Sequence, residues 1–351
     1  MIHIADIRQR LRALGANTKH EERVLRHWAL AQPQDSGRRR LEDFMPGAVR
    51  AALPALSAEL DSLARLQSQH PAQDGSVRLL VQLHDGQTVE SVLLPPERAQ
   101  ALCISTQVGC AVGCVFCMTG QGGLLRQLSS AEIVAQVVLA RSLFPQRPIS
   151  KVVFMGMGEP AHNLDAVIDA IELLGTGGAI GHKNLVFSTV GDARVFERLP
   201  QGRVKPALAL SLHTSKPALR QQLLPRAPRF DPADLVAAGE RYARATGYPI
   251  QYQWTLIEGV NDGMDEIDGI VHLLHGKYAL MNLIPFNAVD GLDFKRPDWE
   301  HAAEMARLLH RRGILTKLRH SAGQDVEAGC GQLRARAGPA EARRIAIALA
   351  A

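Results

Sequence analysis

The stretch LCISTQVGCAVGCVFCMTG, residues 102–120, joins a β-rich run to a loop in which Cys110, Cys114 and Cys117 stand in C-x3-C-x2-C order. Three thiolates at that spacing hold three corners of a cubane 4Fe-4S cluster and leave the fourth iron without a protein ligand, open to a small molecule. Duller readings fit less well. A structural zinc site wants four ligands from paired Cys or His units, and no second C-x2-C unit follows. A disulfide framework is disfavoured by the odd count of 5 cysteines. The absence of an apolar leader after Met1 points the same way, to the reducing cytoplasm.

Downstream of this loop, apolar β-rich runs alternate with helical stretches, the pattern of a parallel sheet with crossover helices. The predicted strands are LCIST (102–106), KVVFMG (151–156), LVFST (185–189), ALALSL (207–212), YQWTLI (252–257) and LMNLIPF (280–286). Between them lie helices such as SSAEIVAQVVLARSLF, capped by Ser129 or Ser130, NLDAVIDAIELL, and DPADLVAAGERYARA, capped by Asp231. The fold class is therefore α/β, and six units suit an open, partial (β/α)6 barrel better than a closed eightfold one. Chemistry in such barrels gathers at the C-terminal ends of the strands. Those ends carry Gly158 and Glu159 in MGMGEP, Ser188 after LVF, Ser211, Leu212 and His213 in SLH, and Asn287 after NLIPF. A helix over 297–312, a strand ILTKLR, the segment HSAGQDVEAGCGQL with Cys330, and a short helical tail follow.

Upstream, VRLLVQL and TVESVLLP flank a D-G turn and read as a hairpin over 77–94. The first seventy or so residues carry helical spacing, as in Val24, Leu25, Trp28 and Leu30, with no period-2 segment. The expected organisation is a helical accessory domain (1–75), a hairpin linking element (76–98), the barrel (99–320) and a C-terminal segment (321–351).

At 351 residues and 46% hydrophobic, the chain has material for a large core. No apolar run approaches the roughly 18–20 residues that span a bilayer. Formal charge is +5, and residues 1–50 hold ten Lys/Arg against six Asp/Glu, including Arg38, Arg39 and Arg40 in a row. That surplus fits either a solvated basic face or contact with RNA.

From residue 74 to 333 the chain resembles the RlmN/Cfr-type radical S-adenosylmethionine (radical SAM) adenosine methyltransferases of ribosomal and transfer RNA. The motifs that carry the resemblance are CISTQVGCAVGCVFCMTGQGG with Phe116 before its third cluster cysteine, VVFMGMGEPAHNLDAV, STVG, ALSLH, GVNDG, NLIPFN and AGCGQL. The resemblance implies a partial barrel with a small N-terminal helical domain, a 4Fe-4S cluster on Cys110, Cys114 and Cys117, and two S-adenosylmethionine molecules per turnover. It assigns cofactor binding to Gly158, Glu159, Ser188, Ser211, Leu212, His213 and Asn287. It makes Cys330 the methyl-carrying cysteine, Cys103 the cysteine that resolves the adduct through a disulfide, and Glu90 a proton acceptor. Read without it, Cys103 and Cys330 are small buried hydrophobes and Glu90 is a cross-strand surface carboxylate. An RNA substrate methylated at adenosine C2, an external electron donor such as flavodoxin, a monomeric state, a cytoplasmic location and no membrane are likewise implied. The chain departs from the pattern at Ala322, where an arginine is expected, and in GEPAHN, which replaces GEPLLN. These departures leave open C8 methylation, another substrate, or a cluster-bearing RNA-binding protein without catalysis.

Overall fold

Three helices open the chain in the computed structural model, which describes residues 1–37, 39–96, 100–288, 291–319 and 331–337. They are α1 (Ile4–Ala13), α2 (Thr18–Ala29) and α3 (Gly47–Ser62). Asn17 starts α2 by accepting the His20 amide at 3.1 Å. The inward residues Ile7, Leu11, Val24, Leu25 and Leu53 belong to the same apolar core as the barrel. The accessory helices are therefore packed into the molecule through a shared core.

The helical reading of the first 75 residues is corrected by a strand, β1 (Ala64–Pro71). Its burial alternates, but of the inward positions Ala64, Leu66, Ser68 and His70 only two are apolar, so hydrophobicity carries no period-2 signal there. As an edge strand with an irregular register between Leu66 and Ser68, it needs only one partner and little apolar surface. The predicted hairpin follows as β2 (Val77–Leu83) and β3 (Thr88–Leu93). β3 then pairs antiparallel with β4 (Gln100–Cys103), matching Val92 to Cys103. The hairpin is thus part of the main sheet and not a separate linking element.

The first barrel strand is shorter than LCIST, because the chain leaves the sheet after Cys103. It builds a separate antiparallel ribbon from β5 (Gln107–Gly109) and β6 (Leu124–Gln127), with the short helix α4 (Met118–Gln121) between them. Repeating units follow: α5 (Ser130–Leu143), β7 (Ile149–Phe154), α6 (Leu164–Gly175), β8 (Leu185–Thr189), α7 (Ala193–Arg198) and β9 (Ala207–Ser211). The chain continues through α8 (Pro217–Leu223), α9 (Pro232–Thr246), β10 (Ile250–Leu256), α10 (Met264–Leu274), β11 (Ala279–Pro285), α11 (Trp299–Arg311), β12 (Thr316–Leu318) and α12 (Gln332–Ala337). All strands but β5 and β6 form one sheet in the order β1-β2-β3-β4-β7-β8-β9-β10-β11-β12, parallel from β4 onward. The six expected barrel strands are present, and ILTKLR supplies β12 as a seventh parallel one. No helix of the described residues is long and apolar enough to cross a membrane.

Two details explain how the sequence fits this frame. In α5, Ser129 accepts the Glu132 amide at 3.2 Å and Glu132 returns a bond to the Ser129 amide at 2.9 Å, so Ser129 is the cap. Residues all around α5 are buried, from Ser130 through Val138, because α2 and α3 cover the side that the sheet does not. Along the strands, alternate residues join different clusters: Leu208 and Leu210 of β9 face the helix-covered core, while Ala207 and Ala209 join Cys103, Val153 and Val186 on the inner face. Small inner residues leave room inside the partial barrel.

Candidate active site

The cysteine loop is shaped by its ends. Gly109, with φ +88°, closes β5 where a Cβ would stand 1.9 Å from the Gly123 carbonyl oxygen, so only glycine fits. The next residue, Cys110, donates its amide to that same carbonyl at 2.9 Å. Within the loop the Cys117 amide donates to the Cys114 carbonyl at 3.1 Å, and the Gly120 amide to the Cys117 carbonyl at 3.0 Å. Val112, Val115, Phe116, Leu223, Leu224, Ile257 and Phe286 surround the cysteines with apolar surface.

Burial pushes the Cys110 thiol up to about 12, reinforced by Glu159 and Cys117, and drives the Cys114 thiol up as well, with Cys117 and Cys110 as neighbours. Thiols in an apolar pocket, whose thiolates would repel one another, ionise readily when positive charge arrives, and an iron cluster would bring it. A single tetrahedral ion with bonds of about 2.3 Å would draw its sulfurs within about 4 Å of one another. A cubane instead spreads its ligands over separate irons. The donor set fits such a cluster.

Around this loop stand the strand-end residues. The Gln107 side chain accepts the Glu159 amide at 2.7 Å, tying the ribbon to the turn after β7. Gly158 packs against the same glutamine, where a Cβ would come within 2.7 Å of its side chain. The Glu159 carboxylate is buried and accepts amides from Ala161 and Val190, each at 3.0 Å; burial raises its pKa to about 7 against the pull of those bonds. It braces the ends of β7 and β8. Ser188 and Ser211, near the ends of β8 and β9, are half-buried, and Leu212 is fully buried with its amide on the Gln253 carbonyl at 3.0 Å.

His213 adopts φ +62° and accepts the Thr255 amide on Nδ1 at 3.0 Å, which assigns the proton to Nε2. Burial lowers its pKa to about 3, aided by nearby Arg220, so the ring is neutral. Its edge meets Phe116, with ring centroids 5.0 Å apart, and so joins the cysteine loop to the end of β9. Asn287 lies just beyond β11, half-buried.

A second group forms on the inner face at the hairpin side. Cys103 is buried at the end of β4, and Glu90 pairs with Arg78 at 3.4 Å, both side chains almost wholly enclosed. The reading of Glu90 as a surface carboxylate is corrected: it is 1% exposed. It also accepts the Arg334 amide from α12 at 3.0 Å. Gly331, at φ +91°, presses against the chain at Thr119, where a Cβ would come within 2.4 Å of Oγ1. The Gln332 side chain donates to the Ala288 carbonyl at 3.0 Å. Cys330 and Ala322 lie outside the described residues.

Sequence reading missed several supporting groups. Asn261, in the GVNDG motif, accepts the Ile257 amide at 2.8 Å and donates to the carbonyls of His213 at 2.7 Å and Thr255 at 2.8 Å, which buckles the SLH turn to β10. Arg78 had one available signal, a charge inside the apolar run VRLLVQL. Arg220 and Gln107 had none.

Residues 104–274 match the radical SAM superfamily model. The chain is 74% identical to a "probable RNA methyltransferase" of Methylibium petroleiphilum, covering 96% of this chain and 94% of that one. It is 65% identical to a protein of the same name from Stutzerimonas stutzeri, over 96% and 97% of the two chains. A radical SAM methyltransferase from Sphaerobacter thermophilus superposes with a TM-score of 0.81 at 34% identity, covering 94% of this chain and 97% of that one.

Proposed function

The chain belongs to the radical SAM methyltransferases that these relatives represent, and from that premise we propose that it methylates an adenosine ring carbon, C2, in ribosomal or transfer RNA. The observation that carries this reading is the bond from the Arg334 amide to Glu90. It ties the segment just after Cys330 to the inner face that bears Cys103, since Glu90 and Val92 share one face of β3 and Val92 pairs with Cys103.

An adenine C–H is electron-poor and does not attack a methyl sulfonium as an amine or thiolate does. A radical route is needed. Cys110, Cys114 and Cys117 would hold a 4Fe-4S cluster, which, charged by an external donor such as flavodoxin, would supply the electron for reductive cleavage of S-adenosylmethionine and so the radical chemistry. Gly158, Glu159, Ser188, Ser211, Leu212, His213 and Asn287 hold that molecule at the strand ends. Cys330, as a thiolate, first takes a methyl group from one S-adenosylmethionine. With the second, it loses a hydrogen atom from that methyl and adds to the ring carbon through the remaining methylene. Glu90 accepts the ring proton, and the electron that the adduct gives up would return to the cluster, which spent one in cleaving S-adenosylmethionine. Cys103 then attacks the Cys330 sulfur: the S–C bond breaks, an S–S bond forms, the released methylene carbon takes a proton from water to complete the methyl group, methylated adenosine leaves, and a dithiol reductant resets the pair.

Arg23 and Arg26 line a surface cavity of about 530 Å³ on the accessory helices, a basic place for RNA phosphates. The deciding experiment is mass spectrometry of ribosomal and transfer RNA nucleosides from cells with the gene, without it, and with Cys330→Ala in its place. We expect 2-methyladenosine to disappear in the last two. Disappearance of 8-methyladenosine instead moves the reaction to C8, and unchanged nucleosides overturn the RNA reading.

A further inference from the structure

Arg220 of α8 is 3% exposed, yet no carboxylate pairs with it among the described residues. One terminal nitrogen donates to the Val190 carbonyl and, at 3.2 Å, to the Ser211 carbonyl, which fixes the guanidinium between the ends of β8 and β9. Its Nε is buried without a hydrogen-bond partner among the described residues. Glu159 and Cys114 are near enough to attract it, but both Glu159 oxygens already accept backbone amides. A buried guanidinium with no carboxylate paired to it is an unfavourable arrangement unless an anion completes it.

The place narrows what that anion is. Arg220 stands at the strand ends beside Ser211 and close to the cysteine loop, where the proposed function seats S-adenosylmethionine. That molecule carries a sulfonium, an ammonium and one anionic group, its carboxylate. The planar guanidinium fork matches a carboxylate in shape and charge. We propose that Arg220 binds the α-carboxylate of S-adenosylmethionine and so orients its methionine end against the cysteine loop; the inference rests on the radical SAM reading and adds a residue to it. The two carbonyl bonds aim the side chain between the ends of β8 and β9.

A purely architectural arginine would do something else: it would stitch β8 to β9 through Val190 and Ser211 and be indifferent to the ligand's carboxylate. The test separates the two roles by binding. Dissociation constants are measured under anaerobic conditions on the cluster-loaded protein for S-adenosylmethionine and for its decarboxylated analogue, which keeps the sulfonium, amine, ribose and adenine. Arg220→Met should weaken S-adenosylmethionine binding by about 100-fold, the order seen when one partner of a buried charge pair is truncated, while the analogue's affinity stays within about 3-fold. Arg220→Lys keeps charge and a donor without the fork, so it should fold even if the methionine variant does not, and should lose about 10-fold for S-adenosylmethionine alone. Equal weakening of both ligands, or of neither, in the lysine variant overturns the assignment. Failure of the wild-type protein to bind S-adenosylmethionine at all overturns the radical SAM reading itself, and the inference with it.

Discussion

On the proposed function the cysteine loop and the inner-face group around Cys103 both carry reactive chemistry, yet they are assembled in opposite ways. Cys110, Cys114 and Cys117 lie within eight residues, on a loop whose geometry is local: a glycine at its root, amide-to-carbonyl bonds between its own members, and a two-stranded ribbon to close it. The other group draws Arg78, Glu90, Cys103 and Arg334 from three strands and the far end of the chain. The loop is lined by apolar side chains, whereas the inner face already holds an ion pair. On the proposed function the first awaits a charged inorganic group and the second moves a proton, and their surroundings differ accordingly.

The sharpest way to break this comparison is Cys114→Ala. With one corner gone, anaerobic reconstitution should fall from about four irons per chain toward none, and methylation should vanish with it. Retention of a full iron complement would show that the loop is not the ligand set. Iron and sulfide analysis decides it.

Glu90→Gln probes the other region. Removing the carboxylate beside buried Arg78 should cost about 3 kcal/mol in denaturant unfolding, because the guanidinium keeps its charge without that counterion. In Arg78→Met with Glu90→Gln the stability should largely return, since a neutral pair carries no such penalty. Methylation should not return, and should stay lower by roughly 100-fold or more if Glu90 takes the ring proton. Recovery of both stability and activity would reduce Glu90 to a structural partner of Arg78. Iron content should be unchanged throughout, which separates the inner face from the loop.

Gly109→Ala carries the smallest expected effect and tests how local the loop is. Its positive φ and the 1.9 Å approach to Gly123 predict a loss of about 2 kcal/mol and reduced iron uptake. The Glu90–Arg78 pair should be untouched, so unfolding of the whole sheet by this one change would argue against two independently built regions.

Much of the barrel was legible because its evidence is periodic. Runs such as ALALSL and YQWTLI are long enough to mark strands, and their spacing implies crossover helices. β1 escaped because an edge strand buries few apolar groups, and the Gln107–Gly109 ribbon because three residues make no pattern. At the site, residues with a motif were found, and residues known only by their neighbours were not. Glu90 was placed by resemblance and mistaken in its surroundings: TVESV alternates like a half-exposed strand, yet α12 covers its polar side.

By itself the sequence determined the parallel α/β barrel and the three-cysteine loop, because periodicity and short spacing are properties of neighbouring residues, and its motifs carried the family resemblance. Only the tertiary structure decided which distant groups share an environment. It enclosed Glu90 with Arg78, buckled the SLH turn through Asn261, and left Arg220 buried among carbonyls. Burial and charge pairing depend on everything that packs around a side chain, and that is fixed only when the sheet closes over residues far apart along the chain.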